Sequence, residues 1–172
     1  GIIDFLDSLD YVLSNSDSMV YIAGNFLGDY LKTKNEIEHL FFKKLKKLNN
    51  GFNNRVKYLG VVKGKEKMEL LKKTNIFCLP TFYKTEAFPL SIIEAMVLGN
   101  AIITTNHNYL PSIISDKNGA IVPISNIEKL SQSIISLLDN PSLLSIQKNN
   151  VDFARKNYSY SKFKENINRI LE

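Results

Sequence analysis

Two glutamates, Glu86 and Glu94, flank the start of a helical pattern that opens at Pro89. A proline in the first helical turn leaves neighbouring backbone N–H groups without intrahelical partners, and the amino end of a helix carries about half a positive charge. Such an end binds phosphate readily, and a carboxylate on either side could accept hydrogen bonds from pairs of hydroxyl groups. The spacing alone also fits glutamates that only interact with the helix dipole, and both interpretations stay open at this point.

Three further side chains, each standing alone in the sequence, could take part in chemistry. Cys78, the lone cysteine, cannot form an internal disulfide, and the apolar run around it indicates a buried core thiol in a reducing cytoplasm. His107 could touch a phosphate or a sugar, although an exposed loop histidine is the commoner case, and no partner is suggested for His39. His, Asp and Cys form no cluster at metal-ligand spacing in the sequence.

Short apolar runs, each followed by a helical pattern, fill the chain up to about residue 122. Buried strands separated by helices favour a parallel sheet covered on both faces, a Rossmann-like doubly wound α/β fold. Met68, Leu70 and Leu71 are expected to face inward, and Asn140 to cap a helix that opens at Pro141. The predicted strands are 19–23, 56–59, 76–79, 101–105 and 120–122, and the predicted helices are 2–13, 33–48, 65–74, 89–98, 110–116, 127–138, 141–157 and 160–171.

The length of 172 residues, with 44% hydrophobic and 23% charged content, predicts one globular domain over 1–172. Its net charge of +5 is spread thinly, apart from one lysine cluster at residues 43–47. That cluster indicates a solvated helix face or, alternatively, a contact with an anionic membrane surface or a charged partner. No basic stripe with interleaved aromatics accompanies the charge, so we expect no nucleic-acid partner. No apolar run reaches the length of a membrane span.

The loop after the predicted strand 76–79 is the most informative of the chain. In open α/β sheets, ligands bind beyond the carboxyl ends of the strands. This loop runs from Pro80 to Pro89, contains Glu86, and leads directly into the helix that carries Glu94. The fold therefore predicts that both glutamates lie at the ligand-binding edge of the sheet.

The same segment carries a family resemblance. Residues 85–99, T-E-A-F-P-L-S-I-I-E-A-M-V-L-G, resemble the E-x7-E signature of family 4 glycosyltransferases, usually written E-G-F-P-L-x-x-x-E-A-M-A-x-G. Residues 101–106 (A-I-I-T-T-N) resemble the strand that follows it, and 110–122 (L-P-S-I-I-S-D-K-N-G-A-I-V) resemble the family's I-P-E-I-I-x-D-G-x-N-G-x-L-V. Residues 158–160 (Y-S-Y) resemble its F-S-W. The segments follow in the family's order over nearly the whole chain.

The resemblance implies the nucleotide-sugar-binding, carboxy-terminal domain of a retaining GT-B glycosyltransferase. In that family the residue matching Glu86 contacts hydroxyls of the donor sugar in the catalytic site, and the residue matching Glu94 holds the ribose hydroxyls. The other implied donor-binding residues are Ala87, Phe88, Pro89, Leu90 and Ser91 near the sugar and diphosphate, and Gly60, Val61 and Val62 beside the base.

The chain departs from the family pattern at several positions. Ala87 replaces the usual glycine and lacks its backbone freedom. The segment 106–109 (N-H-N-Y) stands where the family often has a glycine pair, and Ser112 where glutamate is common. Family members also begin this domain with a central strand and a loop whose Arg and Lys neutralise the donor diphosphate, and neither precedes Gly1. We therefore expect a piece of a longer two-domain enzyme, with a gap in the sheet or another segment filling it.

The implied activity is transfer of a sugar, with retention, from a nucleoside diphosphate sugar to an acceptor hydroxyl. Bacterial surface polysaccharide or glycoconjugate synthesis is the expected setting, without a metal, and an absent amino-terminal domain would bind the acceptor. We expect the fragment alone to be inactive, and the intact enzyme to be cytoplasmic, with peripheral membrane association as a further option. The alternatives are a nucleotide-sugar epimerase or sugar phosphorylase of the same fold, and a doubly wound binding domain without catalysis.

Overall fold

The computed structural model describes residues 1–28 and 32–171. Among the described residues, helices alternate with five strands, and three helices follow the last strand. The strands are β1 (Val20–Ile22), β2 (Val56–Tyr58), β3 (Ile76–Leu79), β4 (Ala101–Thr105) and β5 (Gly119–Val122). The helices are α1 (Ile2–Ser14), α2 (Lys34–Gly51), α3 (Gly64–Lys73), α4 (Leu90–Val97), α5 (Leu110–Ile113), α6 (Ile127–Leu138), α7 (Leu143–Tyr158) and α8 (Tyr160–Leu171).

All strand pairs are parallel, but they form two separate sheets. One contains β1 and β2, with Val20 opposite Val56, and the other has the order β3-β4-β5, with Leu79 opposite Thr104. No strand among the described residues hydrogen-bonds the two sheets together. The doubly wound α/β class is confirmed, and the described strands form two sheets with a gap between them, one of the two arrangements expected from the sequence.

The central strand β4 shows why helices cover both faces. Its five residues are all buried, and successive side chains point to opposite faces. Ala101 and Ile103 join a core with α1, α2 and α6, whereas Ile102 joins a second core with α3, α4, α5 and α7. A strand at this position therefore requires apolar residues or threonines throughout.

Close packing at Gly1 fixes where α1 starts relative to β3. A Cβ atom on Gly1 would lie 1.6 Å from the carbonyl oxygen of Pro80, so only glycine fits. Pro80 directly follows β3, which means that α1 begins at the carboxyl edge of the three-stranded sheet.

The amino ends of β4 and β5 are joined by a buried asparagine network. Asn100 and Asn118 directly precede the two strands, and Asn150 reaches both from α7, its Nδ2 donating to their carbonyl oxygens at 2.8 Å each. Asn118 donates back to Asn150 Oδ1 at 2.8 Å, and Asn100 donates to Leu71 O at 2.8 Å. All three asparagines are buried. The network thus ties α7 and α3 to this end of the sheet.

Two helix boundaries differ from the sequence prediction because side chains form local turns. Helix α5 ends at Ile113, since Asn118 Oδ1 accepts from Ser115 N at 3.1 Å and draws the chain into a turn. Asn140 does not cap α7: its Oδ1 accepts from Ser142 N at 2.8 Å, and the helix begins at Leu143. The bounds of the other elements agree within three residues, and those of β3, β4, α6 and α8 agree without any difference.

Helix α3 buries fewer residues than its pattern predicts. Leu71 is buried and Leu70 is half-buried, but Met68 is exposed, so the prediction that Met68 faces inward was wrong. Lys67 and Leu71, four residues apart, share the helix face that is turned towards the protein. Met68, the residue after Lys67, is rotated away from that face.

The lysine cluster on α2 is partly engaged within the molecule. Lys44 pairs with Asp7 of α1, and Lys47 Nζ lies 3.8 Å from Asp10 Oδ2. These contacts join α2 to α1, while Lys43 and Lys46 of the cluster are exposed. Within residues 1–28 and 32–171, none of the helices combines the length and the apolar content of a membrane span.

Candidate functional site

The loop between β3 and α4 is anchored to the carboxyl end of β4 by threonines. Thr104 Oγ1 donates to Leu79 O at 2.9 Å, and Thr105 Oγ1 donates to Thr81 O. Thr81 Oγ1 in turn accepts from Tyr83 N at 3.1 Å. Because both anchoring threonines are buried, the base of the loop has a fixed position on the sheet.

The outer part of this loop is a tight turn that carries Glu86. Glu86 N donates to Tyr83 O at 3.0 Å, which closes the turn, and the side chain of Glu86 is half-buried. The next loop, after β4, contacts this turn through His107 and Asn108. Ala87 and Phe88, which follow, are exposed.

Helix α4 begins at Leu90, with Pro89 as its N-cap residue. Among the described residues no side chain caps this end, and the first turn of the helix contains no acidic residue. The amides of Leu90 and Ser91, in the first turn, therefore have no intrahelical acceptor. Phe88 approaches the same end and packs on Tyr158 of α7, with ring centroids 5.4 Å apart. Burial raises the pKa of Tyr158, as expected for a phenol held against other rings.

Glu94 is one turn into α4 and is engaged by a residue that sequence reasoning missed. Lys67 Nζ of α3 lies 2.7 Å from Glu94 Oε1 and 2.8 Å from Oε2. The side chains are 35% exposed for Lys67 and 41% for Glu94. Leu90 and Val97, on the same side of the helix, are themselves exposed. The carboxylate thus faces solvent beside one cation.

The loop after β2 meets the loop after β1 at the same edge. Gly60 has φ +65, a left-handed conformation that favours glycine, and its carbonyl oxygen accepts from Gly24 N at 2.8 Å. Val61 is exposed and Val62 half-buried. This loop leads into α3, and the Lys67–Glu94 pair joins α3 to α4.

Together these elements place one positive helix end and two carboxylates, that of the half-buried Glu86 and that of the 41% exposed Glu94, along the same edge. An uncapped helix end attracts an anion such as a phosphate. A carboxylate with two free lone-pair directions accepts hydrogen bonds from paired hydroxyls. The edge therefore suits a ligand that combines phosphate with several hydroxyls. The roles of the individual residues in ligand binding stay predictions.

The residues that sequence reasoning missed act through contacts distant in sequence. Lys67 is 27 positions from Glu94, and Asn108 is 22 positions from Glu86. Five lysines lie between residues 63 and 73, and nothing in the pattern singles out Lys67. Among the described residues, no three His, Cys, Asp or Glu side chains group as metal ligands.

The sequence matches the family described as glycosyl transferases group 1 over residues 1–171. The chain belongs to this family. The resemblance inferred from residues 85–99 is thereby confirmed at the level of the family.

Group 1 relatives share moderate sequence identity with the chain. An uncharacterized glycosyltransferase of Methanocaldococcus jannaschii is 26% identical over 132 residues, which are 75% of this chain and 33% of the relative. An N,N'-diacetylbacillosaminyl-diphospho-undecaprenol alpha-1,3-N-acetylgalactosaminyltransferase of Campylobacter jejuni is 35% identical over 59% of this chain and 26% of its own length. The chain thus spans about a third or less of these relatives.

Solved group 1 and related structures have the same fold. HepE of Anabaena, solved in complex with UDP-glucose, superposes with a TM-score of 0.77 at 17% identity, covering 96% of this chain and 44% of HepE. The carboxy-terminal domain of a glycosyl transferase group 1 family protein from Francisella tularensis gives 0.76 at 19% identity, covering 92% of this chain and 79% of that domain. At these identities the likeness establishes the fold.

Proposed function

We propose that the chain is the donor-binding part of a retaining glycosyltransferase that moves a sugar from a nucleoside diphosphate sugar to an acceptor hydroxyl. Glu86 contacts the donor sugar in the catalytic site, and Glu94 accepts hydrogen bonds from the two ribose hydroxyls. Membership of the glycosyl transferase group 1 family supports the reaction class.

The solvent exposure of the Glu94 carboxylate beside Lys67 is the observation that carries the proposal. Both of its carboxylate oxygens are within 2.8 Å of a single ammonium group, yet the side chain remains 41% exposed. A ribose offers two adjacent hydroxyls, which match the two oxygens of a carboxylate. Lys67 either shares the carboxylate with the ribose or moves aside when the nucleotide binds.

The amino end of α4 would stabilise the diphosphate. Negative charge grows on the leaving diphosphate as the sugar departs, and helix amides can stabilise that charge where water is excluded. The uncapped first turn at Leu90 and Ser91 is suited to this task. In our proposal no metal takes part, and cations from the rest of the polypeptide share the neutralisation.

The class of donor and the pathway are proposed from the relatives. HepE was solved with UDP-glucose, and relatives carry names of mannosyl- and N-acetylgalactosaminyltransferases, among them an Escherichia coli O-antigen chain mannosyltransferase. We infer a nucleotide-activated hexose or N-acetylhexosamine and a role in bacterial polysaccharide or glycoconjugate synthesis. Such a pathway would place the enzyme in the cytoplasm, with peripheral contact to the inner membrane face.

The interrupted sheet supports a further part of the proposal. Gly1 packs on Pro80 at the carboxyl edge of the sheet, where a strand leading into α1 would end. We infer that a parallel strand from the rest of the polypeptide lies between β1 and β3. In this proposal the same polypeptide supplies the acceptor-binding domain.

Calorimetric titration of the full-length gene product tests the donor site. The probes are UDP-glucose, GDP-mannose and UDP-N-acetylgalactosamine, with wild type, Glu94→Ala and Glu86→Gln. Glu94→Ala should weaken binding of the preferred donor and of its free nucleoside diphosphate by about tenfold or more, since it removes charge-assisted hydrogen bonds. Glu86→Gln should weaken the donor but not the free diphosphate.

Glu165→Ala is the matched control, because Glu165 is also an exposed glutamate paired with a lysine, Lys162, but lies on α8. It should bind as wild type does. Equal donor binding by wild type and Glu94→Ala would refute the site. Once an acceptor is known, proton NMR of the product's anomeric centre tests retention, and an inverted product would refute that part.

A further inference from the structure

The loop after β4 holds the Glu86 turn through two adjacent side chains. Asn108 Nδ2 lies 2.9 Å from Glu86 O and 3.1 Å from Lys84 O, so one amide group bridges two carbonyls of the turn. His107 Nε2 lies 2.9 Å from Tyr83 O. Because a carbonyl oxygen only accepts, Nε2 must carry the proton of that bond. The two residues thus engage three of the four carbonyls from Tyr83 to Glu86.

The holding loop is itself fixed to the sheet. Asn106 N donates to Val122 O at 2.9 Å, and Asn106 Oδ1 accepts from Ile124 N at 3.3 Å. Leu110 N donates to His107 O at 3.1 Å, which joins the loop to the start of α5. Through this loop, the Glu86 turn is fixed relative to β5 and α5 as well as to its own base at Thr81.

The backbone of Asn108 has the conformation that directs its side chain to the turn. Its φ is +46, a left-handed value that asparagine tolerates better than most residues other than glycine. Glycine would adopt this conformation too, but would lack the bridging amide.

We propose that Asn108 is a positioning residue that fixes Glu86 for contact with the sugar part of the donor. The inference rests on the proposed function, because it assigns the sugar contact to Glu86. Asn108 does not touch the ligand; it acts through the backbone of the turn. Its loss should reduce affinity for the sugar nucleotide and leave affinity for the free nucleotide, which depends on Glu94, nearly unchanged.

The test compares Asn108→Gly with wild type in the full-length gene product. Glycine keeps the left-handed backbone without strain and removes the side chain that carries the bridging amide. The matched control is Asn53→Gly, since Asn53 has φ +51 in the loop between α2 and β2. Hydrogen–deuterium exchange of peptides covering 83–90 is the first readout, and calorimetry with UDP-glucose, GDP-mannose, UDP-N-acetylgalactosamine and their free diphosphates is the second.

We expect Asn108→Gly to speed exchange in 83–90 by about tenfold, and to weaken binding of the preferred donor about tenfold, with the free diphosphate changed less than about twofold. Asn53→Gly should change neither quantity. Unchanged exchange would overturn the bridge, and an equal loss of donor and diphosphate affinity would overturn the positioning role in favour of general loosening. Wild-type protein that binds no donor would instead refute the proposed function, and the role of Asn108 with it.

Discussion

The asparagines at one end of the three-stranded sheet and the glutamates at the other differ in their access to solvent. At the amino end, Asn100, Asn118 and Asn150 are buried and hydrogen-bond one another or nearby carbonyls. At the carboxyl end, Glu86 is half-buried and Glu94 is 41% exposed beside Lys67. Polar groups that satisfy each other in the interior specify the fold, whereas polar groups that keep solvent access remain available to a ligand. We therefore expect the first end to contribute to stability, and the second end is the one that we propose to bind the donor.

The largest expected effect is on the amino end, in Asn150→Ala. This change removes the donor to Asn100 O and Asn118 O and the acceptor for Asn118 Nδ2, and leaves buried groups unpaired. We expect the free energy of unfolding to fall by about 3 kcal/mol. Urea denaturation followed by circular dichroism measures it.

Asn149→Ala is the control for that prediction. Asn149 also donates from α7 to a carbonyl, that of Lys117, but it is exposed. Its loss should cost less than about 1 kcal/mol, because water can replace the bond. Equal losses in the two variants would mean that the buried network contributes no more than a surface hydrogen bond.

Cys78, on β3 between the two ends, gives a smaller effect that depends on pH. Burial raises the pKa of Cys78 to about 12 from 9.0, although the residue as a whole is half-buried. The folded state therefore keeps the neutral thiol, while the unfolded chain loses its proton above pH 9. The contribution of Cys78 to the free energy of unfolding is therefore fully present below about pH 9 and is lost as the pH rises towards 12.

At pH about 10.5 the loss from Cys78 amounts to about 2 kcal/mol relative to pH 8. Urea denaturation at both pH values should show that wild type loses about 2 kcal/mol more than Cys78→Ala. Parallel losses in the two proteins would indicate that solvent reaches the sulfur, so that the sheet interior is open at β3.

The smallest expected change in stability is at the carboxyl end, in Lys67→Met. The Lys67–Glu94 pair is partly exposed on both sides, and such pairs contribute little to stability. We expect the free energy of unfolding to change by less than about 1 kcal/mol. Thermal or urea denaturation tests this, and a loss as large as that of Asn150→Ala would remove the contrast between the two ends.

Local pattern in the sequence was enough to predict most of the fold. The apolar runs at β3 and β4 and the period of α6 predicted those elements with the observed bounds, because each is set by its own residues. The end of α5 and the start of α7 depend on the side-chain turns at Asn118 and Asn140, which periodicity does not reveal. Met68 was predicted to face inward, but α3 buries only one face and Met68 lies outside it.

The candidate site was predictable only in part. Glu86 and Glu94 stand in a motif within one loop and helix, so their spacing was visible in the sequence. Lys67, His107 and Asn108 reach the site through tertiary contacts between elements that follow different strands. Such contacts depend on how the elements pack and have no periodic signal.

A crystal structure of the protein with its preferred nucleoside diphosphate sugar tests the central claim most directly. Our account predicts ribose hydroxyls within about 3 Å of the Glu94 carboxylate, the diphosphate at the start of α4, and the sugar within reach of Glu86. A nucleotide bound instead at the amino end of the sheet, in the cavity beside Asp116, Lys129 and Ser136, would contradict it.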